Sequence, residues 1–392
     1  MAPETEIQVP RPRLATPAFL AITVAGLAYF TSVGMLFPVL PRFVRGPLGG
    51  SDTSVGIVVG VFSLSALLLR PLAGRVGDLR GRKVLITVGA GTAAVSVGAY
   101  SLAESIPLLM FLRLVTGSGE AFMFTGATTA ISDLAPSSRR GEAFSLFSLA
   151  VFSGLAAGPA LGEMTLNRWG FTWVWLGAAG CAAAAGLLGL LTPDTRPEAE
   201  SGRSGLISRK AVIPGIVFAS SAFGFAGYSS FVPLYALQLG LPGSRQLFAL
   251  HSIIIVAVRS FGARLPDRVG VGKMANGSLL LSLAGLLTLG IVRNPTGLVA
   301  GTALFALGQS LLFPALLSLV IGRVQASERA SAIGTFTAFL DLSFGIGPVG
   351  LGLVAHSFGY PAVFLASSIV AAGGMALFIL SRNHASEANN RL

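Results

Sequence analysis

Two carboxylates stand where carboxylates are expensive. Glu120 and Asp341 lie deep within long apolar runs, and an ionisable group at such a depth costs several kcal/mol unless it is paired or faces a water-filled path. A side chain kept at that cost is read as functional. Arg113 precedes Glu120 by seven residues, two helical turns along one face, so the two can share a polar pocket. The expected chemistry is reversible proton binding at Glu120, Asp341 or both, with Arg113 tuning Glu120. A structural ion pair or a helix–helix hydrogen bond is the alternative at each position.

Little else offers a reaction. The sequence holds no G-x-x-x-x-G-K-[ST] phosphate loop, so ATP-driven chemistry is not expected. Metal-ligand spacings, nucleophile triads and redox motifs are missing too, and Cys181, the one cysteine, has no partner for an intramolecular disulfide. His251 is the histidine placed within an apolar run, and without a second ligand near it in sequence it reads as a packed residue. The expectation is a protein that is not an enzyme, with neither cofactor nor metal.

The elements that position these residues follow from composition. The chain has 392 residues, of which 53% are hydrophobic and 11% charged, and its mean hydropathy is +0.77. A soluble protein of this length could not bury so much apolar surface, so the chain is read as a polytopic membrane protein. Roughly 20 apolar residues cross the hydrocarbon as a helix. Twelve such segments are expected, near 17–40, 51–73, 82–103, 106–134, 140–166, 171–192, 211–239, 245–265, 272–292, 296–322, 328–356 and 360–381. Their runs are continuously apolar, which argues for helices against a barrel. The first is long enough to span and lacks a small-residue cleavage site, so it is read as a retained helix.

The net charge of +11 is topological. Most Lys and Arg fall in the loops on one side, together with both termini, while Arg42, Arg45, Arg168, Arg245 and Arg293 fall on the other. The positive-inside rule places both termini in the cytoplasm, and nucleic acid is not an expected partner. Trp169, Trp173 and Trp175 cluster at the opposite interface, where an aromatic belt belongs. The preference for Arg over Lys, with abundant Ala, Gly and Leu, suggests a bacterial source and hence the inner cell membrane.

One unit is used twice. Residues 193–210 form a polar, Pro- and Ser-containing linker, dividing a first bundle, 1–192, from a second, 211–392. Adding 189 carries Arg70, Asp78 and Gly81 onto Arg259, Asp267 and Gly270, and Gly158-Pro159 onto Gly347-Pro348. Repeated matches at one ungapped offset indicate an internal duplication.

The stretch GRVGDLRGRK, 74–83, resembles the signature loop of the major facilitator superfamily, with Gly74, Asp78, Gly81, Arg82 and Lys83 in the motif positions. The second copy keeps Asp267, Gly270 and Lys273 but has Ala263 in place of the first glycine. Arg113, Gly117 and Gly119 match the family's fourth-span motif. In span five, Gly154, Gly158, Pro159 and Gly162 match the motif associated with antiporters. Glycines at i, i+4 and i+8 also make a smooth face for close helix approach, and Pro159 removes the hydrogen bond to the Leu155 carbonyl.

The resemblance covers the whole chain. It implies an all-α membrane protein of twelve transmembrane helices in two pseudo-symmetric six-helix bundles around a midplane site. It also implies a cytoplasmic latch, with Asp78 meeting the start of span eleven near 327–331 and Asp267 meeting the start of span five. Gly347 and Pro348 would form the second bend of a rocking seam. The function implied is proton-coupled export of small, largely apolar molecules, with the proton gradient as energy source and a monomer as the working unit. Its partners would be a lipophilic substrate and membrane lipid. A facilitator or proton symporter for a sugar or metabolite is the alternative, and a membrane sensor or assembly protein reusing the fold is one of another class. Tyr29, Phe225 and Tyr228 are candidates to line an apolar cavity. Arg70 and Arg259 are expected to snorkel or support the latch near the cytoplasmic helix ends, and Glu163 to be solvated at the outer end of span five.

Overall fold

The computed structural model describes residues 14, 16–136, 139–194, 208–261, 269–325 and 328–389. The first half contains α1 (Pro17–Arg45), α2 (Asp52–Arg80), α3 (Arg82–Gly98), α4 (Ile106–Leu134), α5 (Arg140–Trp169) and α6 (Phe171–Leu190). The second contains α7 (Arg209–Gln238), α8 (Arg245–Phe261), α9 (Val271–Ile291), α10 (Pro295–Ile321), α11 (Arg329–Phe358) and α12 (Tyr360–Asn389). No strand occurs among the described residues. Eleven of these helices are long and apolar enough to cross a membrane. The described part of α8 has 17 residues, and the remainder of the expected span, up to 265, includes residues outside those described.

Local chemistry sets several boundaries. The Thr16 hydroxyl accepts from Phe19 N at 3.2 Å and Asn294 Oδ1 from Gly297 N at 2.8 Å, each capping a helix that opens on proline. The stretch expected as a loop between α2 and α3 is almost entirely helical. Gly74 to Arg80 are the last turns of α2, Arg82 and Lys83 open α3, and Gly81 alone lies between them. Its φ of +87° is a conformation that costs any residue with a Cβ. Gly270, its repeat partner, has φ +88°, so the duplication reproduces the turn as well as the motif.

The two halves are built alike. In the first, α1 packs on α5 and α6, α3 on α4 and α6, and α2 on α4; in the second, α7 packs on α11 and α12, α9 on α10 and α12, and α8 on α10. The halves meet through α2 with α11, α5 with α8, and α1 with α7. Far from the chain termini the apolar core runs through this junction, from Trp175 and Tyr100 to Phe231 and Leu351.

Small residues make both kinds of joint, as expected where lipid removes the hydrophobic drive between helices. The ladder of Gly154, Gly158 and Gly162 lies against α1, within the first half. A Cβ on Gly154 would stand 2.5 Å from the Leu27 carbonyl oxygen, and one on Gly158 2.6 Å from the Gly34 Cα. Gly347 likewise faces Phe223 and Ala226 of α7. The glycine face of α5, one bend of the expected rocking seam, is thus a close-packed joint inside the first half. The close approach between halves uses Gly56 and Gly60 of α2, where a Cβ would overlap the carbonyls of Pro348 and Gly345 on α11.

Candidate functional site

Glu120 and Asp341 come together on one arginine. Arg70 of α2 places Nη2 3.0 Å from Asp341 Oδ1 and 3.5 Å from Glu120 Oε1, while its Nε stands 2.9 Å from Asp341 Oδ2. The guanidinium also lies 5.2 Å from the Phe124 ring centroid. The carboxylate side chains are 9% and 12% exposed. Arg70 and Glu120 belong to the first half and Asp341 to the second, so the cluster is also a tie between halves. With both acids ionised it carries one excess negative charge, which one bound proton balances. Glu120 Oε2 is buried without a hydrogen-bond partner, leaving an oxygen where that proton can sit.

Arg113 does not take the expected role. It donates from Nε to the Val58 carbonyl at 3.1 Å and from Nη2 to the Val59 carbonyl at 3.4 Å, and it covers the Phe62 ring at 4.4 Å. Its long side chain leaves the face it shares with Glu120 and ties α4 to α2. Arg70 takes its place beside Glu120. The apolar run weakens after 73, which suggests a helix end near Arg70, yet α2 continues to Arg80 and Arg70 turns to the two acids.

The duplicated position is different. Arg259 of α8 donates from Nε to the Ser310 carbonyl at 3.1 Å, and its guanidinium lies 3.8 Å from the centroid of Phe152 on α5, across the junction. Subtracting the repeat offset pairs Phe152 with Asp341 and Gln309 with Glu120. The second arginine thus occupies the same setting with both acids replaced.

Among the described residues, the contacts given for Asp78 and Arg82 lie within the first half. Asp78 Oδ1 pairs with Arg82 Nη1 at 2.9 Å, and Arg82, itself buried, reaches Asp133 of α4 at 3.2 Å through Nε. Asp78 is 60% exposed at its side chain. Gly81 faces the Asp194 carboxylate closely, and Gly74 has open space beside it. Asp267 and residues 326–327, the remaining latch positions, lie outside the described residues.

Glu163 is buried, at 1% exposure, which corrects the expectation of a solvated side chain. One oxygen accepts from Ser244 N at 2.8 Å and Ser244 Oγ at 2.7 Å, the other from Arg245 N, and Arg42 Nη1 stands 3.9 Å away. A carboxylate from α5 thus caps α8, satisfying donors that a helix start leaves unpaired. Beside it the Tyr360 hydroxyl donates to Asp52 Oδ1 at 3.0 Å, again across the halves. Both contacts close the end of the bundle remote from the termini. Sequence reasoning missed them because the hydrogen-bond donors, Ser244, Arg245 and Tyr360, come from the other half.

The aromatic candidates divide. Tyr29 is buried edge-on to Phe30. Phe225 and Tyr228 pack with Phe248, His251 and Phe305, and the Tyr228 hydroxyl meets Thr302 Oγ1 at 3.1 Å. These rings form a packed cluster in the second half, with His251 buried at its centre.

Known proteins share this architecture. Solved structures with the same fold include a bacterial homologue of the human lysosomal transporter Spinster in an inward-facing, occupied conformation (TM-score 0.75, 16% identity, covering 94% of this chain and 98% of that one). The nucleoside transporter NupG aligns with a TM-score of 0.76 at 14% identity, over 93% of this chain and 99% of its own. The human organic anion transporter MFSD10 aligns at 0.73 and 19% identity, over 94% and 100%. Closer in sequence are uncharacterised MFS-type transporters of Salmonella typhimurium, 31% identical over 379 residues (93% of this chain and 96% of the relative), and of Burkholderia mallei, 30% identical over 394 residues (96% of each). The family model described as Major Facilitator Superfamily matches residues 22–292 and, in a second match, 245–392. With its two like halves and the loop motif, this chain belongs to the Major Facilitator Superfamily of membrane transporters.

Proposed function

We propose that this transporter is a proton-coupled exporter of small, largely apolar molecules, working by alternating access in the bacterial inner membrane. The observation that carries the reading is the Arg70–Glu120–Asp341 cluster. A proton on Asp341 removes the charge that holds Arg70 across the junction, and its loss restores the tie, so proton occupancy and the relation of the halves are linked. A facilitator needs no such device, and two membrane carboxylates would then be retained at a cost with no return.

We read the Glu163 end as the outer one, because the excess of Lys and Arg falls in the loops at the opposite end. In the described state that end is closed, by Glu163 on α8 and by Asp52 with Tyr360. Cargo then enters the space between the halves from the cytoplasm. Opening of the outer end exposes the cluster to the proton-rich side, a proton binds as cargo leaves, and its release inside resets the pair. The apolar character of the cargo rests on the span-five motif, Gly154, Gly158, Pro159 and Gly162, which resembles that of the antiporters. Neither cofactor nor nucleic acid enters this cycle, and the monomer carries every group it uses.

The test is reconstitution in liposomes under an imposed pH gradient, with a panel of lipophilic dyes, lipophilic cations and sugars. Gradient-dependent movement of the lipophilic compounds is expected. Gradient-dependent movement of a sugar alone, or movement indifferent to the gradient, overturns the reading.

A further inference from the structure

Arg259 is a cation with no anionic partner among the described residues. Its repeat partner Arg70 is neutralised by Asp341 and Glu120, whereas the residues one offset away from those acids are Phe152 and Gln309. Phe152 covers one face of the Arg259 guanidinium at 3.8 Å. Gln309 turns its amide away and donates to the Ser221 carbonyl and hydroxyl at 3.0 and 2.9 Å. Of the five N–H groups on the guanidinium, the one on Nε is used by the Ser310 carbonyl. Neither Nη nitrogen is hydrogen-bonded or ion-paired to another described residue, and neither is sealed from solvent. The fork that recognises carboxylate, sulfonate or phosphate in two parallel bonds is therefore free.

An unpaired arginine within the membrane is costly and is retained where it pairs or lines a path. Here it lies between α8 and α5, one of the helix pairs that join the halves, with the aromatic ring of Phe152 facing it across the junction. A cation–π contact offsets part of the cost of a charge but leaves the hydrogen-bonding edge of the guanidinium unoccupied.

We propose that Arg259 binds the anionic group of the transported molecule, so that the cargo is an amphipathic organic anion whose acidic head occupies the place that Asp341 holds in the other half. Phe152 takes the adjoining apolar or aromatic part of the cargo. Loaded, the two halves carry matching arginine–acid pairs, one with a resident acid and one with a visiting acid. This rests on the transport reading above but does not depend on proton coupling.

The test is a binding titration on the purified, detergent-solubilised protein with anilinonaphthalene sulfonate and its uncharged sulfonamide, with no gradient applied. The wild type is expected to hold the sulfonate about tenfold or more tightly than the sulfonamide, the size of one charge-assisted contact. Arg259→Gln should erase that preference while leaving sulfonamide binding as it was, and Arg259→Lys should keep part of it. Equal affinities in the wild type, or a preference that survives in Arg259→Gln, overturn the proposal. Should Arg259→Gln fail to fold, Phe152→Leu, which removes the ring but keeps the charge, is expected to weaken both compounds while retaining the preference; loss of the preference in that variant also overturns it. Failure of proton coupling in liposomes leaves this titration unaffected, so the two readings fail separately.

Discussion

Arg70 and Asp341 are 271 residues apart in sequence and lie 2.9 Å apart in space, one in each half. In the proposed alternating-access cycle the halves change their relation, so this pair is expected to weaken and re-form in each turnover. Protonation of the acid is the simplest means. Asp341→Asn is therefore expected to lower pH-driven transport at least tenfold while cargo binding is retained, because the variant holds the neutral state permanently. Glu120→Gln should do the same or should shift the pH at which transport is half-maximal. Gradient-driven uptake into inverted vesicles checks both, and full transport by each variant would end the proton assignment.

Removal of the cation is a different experiment. Arg70→Ala leaves two carboxylates facing each other in a low-dielectric setting, where breaking a buried pair costs roughly 3–5 kcal/mol. The thermal midpoint in detergent should fall further for Arg70→Ala than for Asp341→Asn. Asp341→Asn combined with Arg70→Ala should recover part of the loss, because one of the stranded charges is gone.

Glu163 gives a prediction about conformation. Its oxygens accept from two backbone N–H groups and a hydroxyl at the start of α8, and hydrogen bonds to a charged group contribute about 1.5–3 kcal/mol each. Glu163→Ala is expected to shift the population toward an open outer end by tenfold or more. Spin labels at Pro47 and Gln238, which line one cavity from opposite halves, report the distance in a Cys181→Ala background. An unchanged distance distribution would mean that the clamp is incidental to closure.

The difference between what was legible in the sequence and what was not has a physical cause. Helix positions, the duplication and the depth of Glu120 and Asp341 depend on local hydropathy and on spacing along the chain, and they reappear in space. Partners across the junction do not. Glu120 and Arg113 share a helix face, yet the guanidinium of Arg113 is long enough to choose the carbonyls of Val58 and Val59. The true partner of Glu120 lies on α2, where the end of the apolar run hid how far the helix continues. Glu163 at a helix end looked solvated because its donors belong to α8. The repeat offset did contain a usable signal. Adding it to Glu120 and subtracting it from Asp341 exposes the loss of both acids around Arg259 before any coordinates are known.

The turn at Gly81 separates conformation from space. Its φ of +87° with ψ 164° is essentially reserved for glycine and costs an L-residue roughly 1–3 kcal/mol, and a Cβ would also overlap the Asp194 carboxylate. Gly81→Ala should lower the thermal midpoint by several degrees. Gly81→Ala with Asp194→Ala relieves the overlap but not the dihedral, so partial recovery is expected. Full recovery would show that the positive φ contributes nothing.

The glycines at the two kinds of helix joint should respond differently to the same change. Gly158 faces α1 within its own half, where a Cβ would stand 2.6 Å from the Gly34 Cα, while Gly56 faces the Pro348 carbonyl across the junction. Overpacking at a joint of this kind costs typically ~1–3 kcal/mol. The α1–α5 joint lies inside one half and moves with it, so Gly158→Ala penalises every state and should appear as a lower thermal midpoint with little change in the distance between the Pro47 and Gln238 labels. On the proposed cycle the Gly56 contact is expected to part when the outer end opens. Gly56→Ala therefore penalises one state, and it should lengthen that distance by favouring the open outer end while costing less in overall stability. Equal effects of the two variants on the label distance would mean that the halves do not move as units about the α2–α11 contact, and alternating access in this transporter would need a different hinge.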